Sequence, residues 1–149
     1  MARVAGSASA EIDAALQRVW EVVEDVESAA DWQGGLNAVK PIERDAEGRP
    51  TLVETETDAR LRTLKARVRF AYHPPTRLSW VQEKGDLRSL VGSWELVDLG
   101  GGRTRATYAV EADSGRVIGL LLRGPAEGIV VDLLVKPRPG ELKTRVEGG

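Results

Sequence analysis

A chain of 149 residues with 21 lysines and arginines against 23 aspartates and glutamates carries a formal net charge of −2 and lacks the basic excess that binding to a phosphate backbone uses. Nucleic acid is therefore not an expected partner. The absence of cysteine removes disulfides, thiolate metal sites and cysteine nucleophiles, and the length suits one domain that buries roughly 68–70% of its unfolded surface.

The opening "MARVAGSASAEID" lacks the apolar centre of a signal peptide. Farther on, "VIGLLLRGPAEGIVVDLLV" is interrupted by Arg123, Gly124, Pro125, Glu127 and Asp132, so it does not read as a spanning helix. A cytoplasmic protein is the expectation.

In chain order, residues 7–12 alternate small and polar side chains before Asp13, which is placed to cap a helix. Leu16, Val19, Trp20, Val23 and Val26 then recur at helical spacing and form one buried stripe. A second short helix is predicted over about residues 27–32, ended by Gly34 and Gly35. Period-two runs follow over residues 39–44, 51–59, 63–73, 78–83, 87–99 and 104–112, separated by the turn-rich "EGRP", "HPPT", "KGD" and "GGGR". Connections this short imply an antiparallel meander.

The faces of that sheet follow from phase. Glu54, Glu56 and Asp58 alternate on one run and Lys65, Arg67 and Arg69 on the next, so a hairpin sets acid against base on a solvated face. Val53, Thr55, Thr57 and Ala59 then share the opposite, dry face with Ala66, Val68, Phe70 and Tyr72, and Leu78, Trp80 and Gln82 extend it. Across the Gly100–Gly102 turn, Leu90, Gly92, Trp94 and Leu96 join Ala106, Tyr108 and Val110 on that dry side, with Ser93, Glu95, Arg105 and Thr107 on the wet one. The chain returns to helix with Ile118, Leu121, Leu122, Ile129, Val130, Leu133 and Leu134, and resumes it with Leu142 and Val146 after Pro137, Pro139 and Gly140, which should break or kink it.

Catalytic signatures are sparse. The single histidine, His73, falls on the wet phase beside a turn, which leaves a metal site without its usual ligands and an activated serine without its base. The glycines of "GLNAV" and "LGGGRT" are not set between a strand and a helix at phosphate-loop spacing, and read as turns. No metal or cofactor is expected. Trp20 and Trp32 are assigned to helix packing.

The fragments "EIDAALQRVWEVVEDVESAADW", "RLSW", "GSWEL", "TRATYAV" and "ELKTRVE" span nearly the whole chain. Their order and spacing resemble the START-like (SRPBCC) superfamily, in its bacterial polyketide cyclase/dehydrase and lipid-transport branch. That resemblance implies an α+β helix-grip fold in one domain, with two short helices after the first strand and a curved seven-stranded antiparallel sheet wrapped around a long C-terminal helix. It also implies an apolar cavity between sheet and helix. Its wall would include Ala66, Val68 and the aromatics Phe70, Tyr72, Trp80, Trp94 and Tyr108. Thr55, Thr57 and Gln82 would add polar groups, and Leu121, Leu122, Ile129 and Leu133 would close it from the helix.

Three functions fit this reading. The first is binding or transport of a hydrophobic small molecule, such as a lipid, isoprenoid or polyketide-like compound. The second is a polyketide aromatase/cyclase or dehydratase in which Tyr72 or Tyr108 assists proton transfer. The third is a solid-cored interaction module. The consecutive apolar residues Leu120–Leu122 and Ile129–Val131 exceed what a single buried stripe needs. Burial against sheet and ligand, a homodimer contact, or transient membrane docking would each account for them.

Overall fold

A computed structural model describes residues 3–58, 63–113, 115 and 134–148. Its seven strands are β1 (Arg3–Ile12), β2 (Leu36–Arg44), β3 (Pro50–Asp58), β4 (Thr63–His73), β5 (Arg77–Gly85), β6 (Ser89–Gly100) and β7 (Arg103–Asp113). They form one sheet in the order β1-β7-β6-β5-β4-β3-β2, antiparallel at every pairing. β4 has the bounds its alternation predicts. β2 begins at Leu36 rather than Val39, because Gly35 turns the chain at φ +82° directly into the strand. The glycine triplet is explained likewise: Gly100, Gly101 and Gly102 have φ of +81°, +63° and +75°, a left-handed run that side chains with a Cβ resist.

Register confirms the two-faced reading. Trp94 lies opposite Tyr108, Leu96 opposite Ala106, Val53 opposite Val68 and Thr55 opposite Ala66. On the outer face Arg67 reaches Glu54 at 2.8 Å and Lys65 reaches Glu56 at 3.7 Å, exposed pairs worth at most about 1 kcal/mol each. The third rung differs from expectation. Asp58 faces Thr63, and Arg69 faces Leu52 and pairs with Glu83 and Glu43. Ser93, expected on the wet face, is 9% exposed where it lies between Ser79 and Ala109 of the neighbouring strands.

After β1 come α1 (Leu16–Glu24) and a 3-10 helix (Val26–Asp31). Val19, Trp20, Val23 and Val26 are buried as the stripe predicts. Asp13 does not cap α1. Ala15 occupies the cap position without a side-chain bond, and the corner is held from outside: Asp13 N–H donates to Glu147 Oε2 at 2.9 Å, and the buried Thr104 hydroxyl donates to the Ala14 carbonyl at 2.8 Å.

The C-terminal helix, α2, is Arg138–Gly148. Residues 135–137 form a turn before it, so Pro137 precedes the helix as expected, whereas Pro139 and Gly140, expected to break it, lie inside it; Pro139 is in the first helical turn, where a missing N–H costs little. Leu142 and Val146 are buried. Ile118, Leu121, Leu122, Ile129, Val130 and Leu133 lie outside the described residues, as does Ala59.

These pieces divide the space under the sheet. At the end where α1 and α2 cross the β6–β7 hairpin, Ile12, Val19, Trp20, Leu96, Ala106, Leu142 and Val146 form a solid cluster. Val68, Leu78 and Trp94 mark its boundary with the region beyond.

Candidate functional site

Beyond that boundary the dry face lines a cavity of about 200 Å³. The strands supply Thr55, Thr57, Leu64, Ala66, Val68, Phe70, Leu78, Trp80, Gln82, Leu90, Trp94, Tyr108, Val110 and Ala112. Val23, Val26, Ala29, Trp32 and Leu36 come from α1, the 3-10 helix and the start of β2, and Leu134, Val135 and Arg138 from the turn into α2. Strict alternation puts these side chains on one face, since every second residue of a strand points the same way.

The aromatic rings form a continuous chain across the wall. Phe70 meets Trp80 at 5.7 Å between centroids, Trp80 meets Tyr108 at 5.6 Å, Tyr108 meets Trp94 at 4.8 Å, and Trp94 meets Trp32 at 6.3 Å. All are tilted, a geometry in which ring edges and faces attract. Trp32 corrects the sequence reading: it belongs to the cavity wall as well as to helix packing. Its position just after the 3-10 helix carried no periodic signal. Trp20 stays in the solid cluster, as expected.

Tyr72 lies apart. Its hydroxyl donates to the Pro50 carbonyl and the Arg49 guanidinium covers its ring at 4.7 Å, so it is a post at the solid end of the sheet and not part of the cavity lining. His73 is exposed beside the turn. Among the described residues no cluster of histidines and carboxylates is arranged for a metal, and no helix is long and apolar enough to cross a membrane.

Arg138 is the group the sequence did not reveal. It lines the cavity yet is only 3% exposed. Its guanidinium donates to Glu141 and to the Gly34 carbonyl, and Glu141 Oε2 accepts the Gly34 N–H at 3.0 Å. The pair thus straps the head of α2 to the loop before β2. Burial pushes the Tyr108 phenol above its ordinary range, and the charge and hydrogen bond of Arg138 offset this only in part. Tyr72 is raised too, first by its own burial and then by the Asp45 carboxylate.

Tyr72 and Tyr108 are the only two tyrosines, which makes a titration readable. With both folded-state values raised, their stabilising effect is complete below the unfolded value of about 10 and is lost as pH rises through the folded values. A spectrophotometric titration should show no tyrosinate in the native protein up to pH about 10, with ionisation accompanying alkaline unfolding. A phenol that ionises at or below that point in folded protein would contradict this geometry.

A family model described as polyketide cyclase / dehydrase and lipid transport matches residues 12–135. The chain belongs to that family. The match covers α1, the 3-10 helix and the sheet from β2 to β7, and therefore most of the cavity wall of this polyketide cyclase/dehydrase and lipid-transport member. Solved structures share the fold. A START superfamily protein from Mycobacterium smegmatis is 17% identical over 97% of this chain and 98% of its own, with a TM-score of 0.82. A protein of Thermus thermophilus is similar at 17% identity, 97% coverage of both chains and TM-score 0.82. The ZhuI aromatase/cyclase from Streptomyces sp. R1128 is similar at 15% identity, covering 98% of this chain and 94% of its own, with TM-score 0.74. No curated protein sequence matches.

Proposed function

We propose that this protein binds or carries a hydrophobic small molecule in the cavity between the sheet and the C-terminal region. The observation that carries the reading is the aromatic chain from Phe70 to Trp32 lining open volume, where solid packing would have served stability better. Transfer of apolar ligand surface out of water at about 25 cal/mol per Å² supplies the affinity, and Thr55, Thr57 and Tyr108 set orientation. A cavity of about 200 Å³, beside the about 150 Å³ void that accepts a benzene ring, suits one or two fused rings or a short acyl chain. Burial among ring faces also predicts quenching of tryptophan fluorescence by such ligands.

Native mass spectrometry of freshly purified protein, before and after organic extraction, is the direct test. A retained adduct or saturable tryptophan quenching supports the reading. Failure of both across a panel of lipids and aromatic polyketides would remove it. Ala66→Trp adds a structural arm. Ala66 lines the cavity opposite Thr55, so the new indole should fill the void, block uptake and change stability by less than about 1 kcal/mol, whereas a filled core would lose about 1–3 kcal/mol. The larger loss would revive the solid-cored interaction module.

A second reading, cyclisation or dehydration of a polyketide chain in the same space, is favoured by Tyr108, a phenol kept protonated beside Arg138 in the wall. Turnover of a poly-β-ketone mimic should then vanish in Tyr108→Phe and survive in Tyr72→Phe.

A further inference from the structure

Gln82 Oε1 is buried without a hydrogen-bond partner, the one such side-chain oxygen or nitrogen among the described residues. Buried carbonyls are normally paired, because leaving one dry and unbonded is costly. The residue lies on the cavity wall, in phase with Trp80 on β5.

Three local features hold the amide in this state. Gln82 Nε2 donates to the Leu87 carbonyl at 2.8 Å, which commits the nitrogen and leaves the oxygen as the unpaired end. The β4–β5 ladder slips here: Arg67 pairs with Lys84 but Val68 pairs with Gln82, so Glu83 is an extra residue, and such bulges re-aim side chains beside sites. Opposite Ala66, Gly85 leaves the oxygen its room, since a Cβ there would come within 2.6 Å of Oε1 and 2.8 Å of the Lys65 carbonyl.

We propose that Gln82 Oε1 is the acceptor that reads the ligand: it takes a hydrogen bond from a hydroxyl or N–H on the bound molecule. The cavity then prefers a hydroxylated aromatic to the bare hydrocarbon of the same shape. This rests on the ligand-binding reading above and sharpens it, because desolvation alone gives the opposite order: the hydrocarbon leaves water more readily than its hydroxylated counterpart.

Calorimetric titration of the wild-type protein with naphthalene, β-naphthol and β-methoxynaphthalene separates the two. β-Naphthol should bind about tenfold or more tightly than naphthalene, and the methoxy compound, which accepts but cannot donate, should gain nothing over naphthalene. Gln82→Met should erase the preference, bringing the variant's affinities for β-naphthol and naphthalene together. The proposal falls if naphthalene equals or exceeds β-naphthol, the order expected if a water stays on Oε1, or if the preference survives in the variant. If that variant does not fold, the wild-type series still decides. Binding of none of the three overturns this proposal, and the ligand-binding reading falls with it only if the lipid and polyketide panel also fails to bind.

Discussion

Trp94→Ala should destabilise the protein by about 3–5 kcal/mol and lower its melting temperature by about 10 °C or more. The indole is 2% exposed and does two jobs. It closes the solid cluster toward the cavity, and it stands between Tyr108 at 4.8 Å and Trp32 at 6.3 Å. Truncation removes both ring contacts and merges a new void with the existing one, so the surrounding side chains have little to collapse onto. Trp94→Phe should recover much of the loss, since a phenyl ring keeps the contact with Tyr108. Denaturant unfolding of the three proteins checks this. A loss below about 1 kcal/mol, within the range of surface substitutions, would mean that Trp94 does not support the wall.

Arg138→Met should cost about 3 kcal/mol, the lower end for breaking a buried ion pair, because the Glu141 side chain keeps 25% of its surface in water while that of Arg138 keeps 4%. The substitution takes away the donor to the Gly34 carbonyl and leaves the Glu141 carboxylate without its cation. The double variant Arg138→Met with Glu141→Gln should recover a substantial part, since a neutral amide can still accept the Gly34 N–H and no charge is stranded. Equal losses in the single and double variants would show that the pair itself contributes nothing and that the arginine acts through packing.

The sheet was legible because alternation is a strong signal. Once Glu54 and Glu56 faced Arg67 and Lys65, phase alone put Thr55, Ala66, Val68, Phe70, Trp80, Trp94 and Tyr108 on one side, and all of them line the cavity. Tyr72 obeys the same phase but lies too far along β4, because phase fixes a face and says nothing about position along it. Phase puts Gly92 on the apolar face but does not show why that position must be glycine: a Cβ there would come within 2.4 Å of the Trp80 indole, a contact between neighbouring strands that one-dimensional reading cannot see. Arg138 was missed for a related reason. Between Pro137 and Pro139 it looked like part of a helix break, and its burial depends on Gly34, distant in sequence.

The sheet order also imposes a timetable. β1 lies at an edge and its sole sheet neighbour is β7, with Arg3 paired to Asp113 and Ile12 to Thr104. The earliest-made strand therefore has no ladder to join until the latest-made one leaves the ribosome, and joining them demands the most distant closure in the sheet. A nascent chain arrested before Arg103 would hold its first strand idle, with the hairpins from β2 to β6 free to pair among themselves.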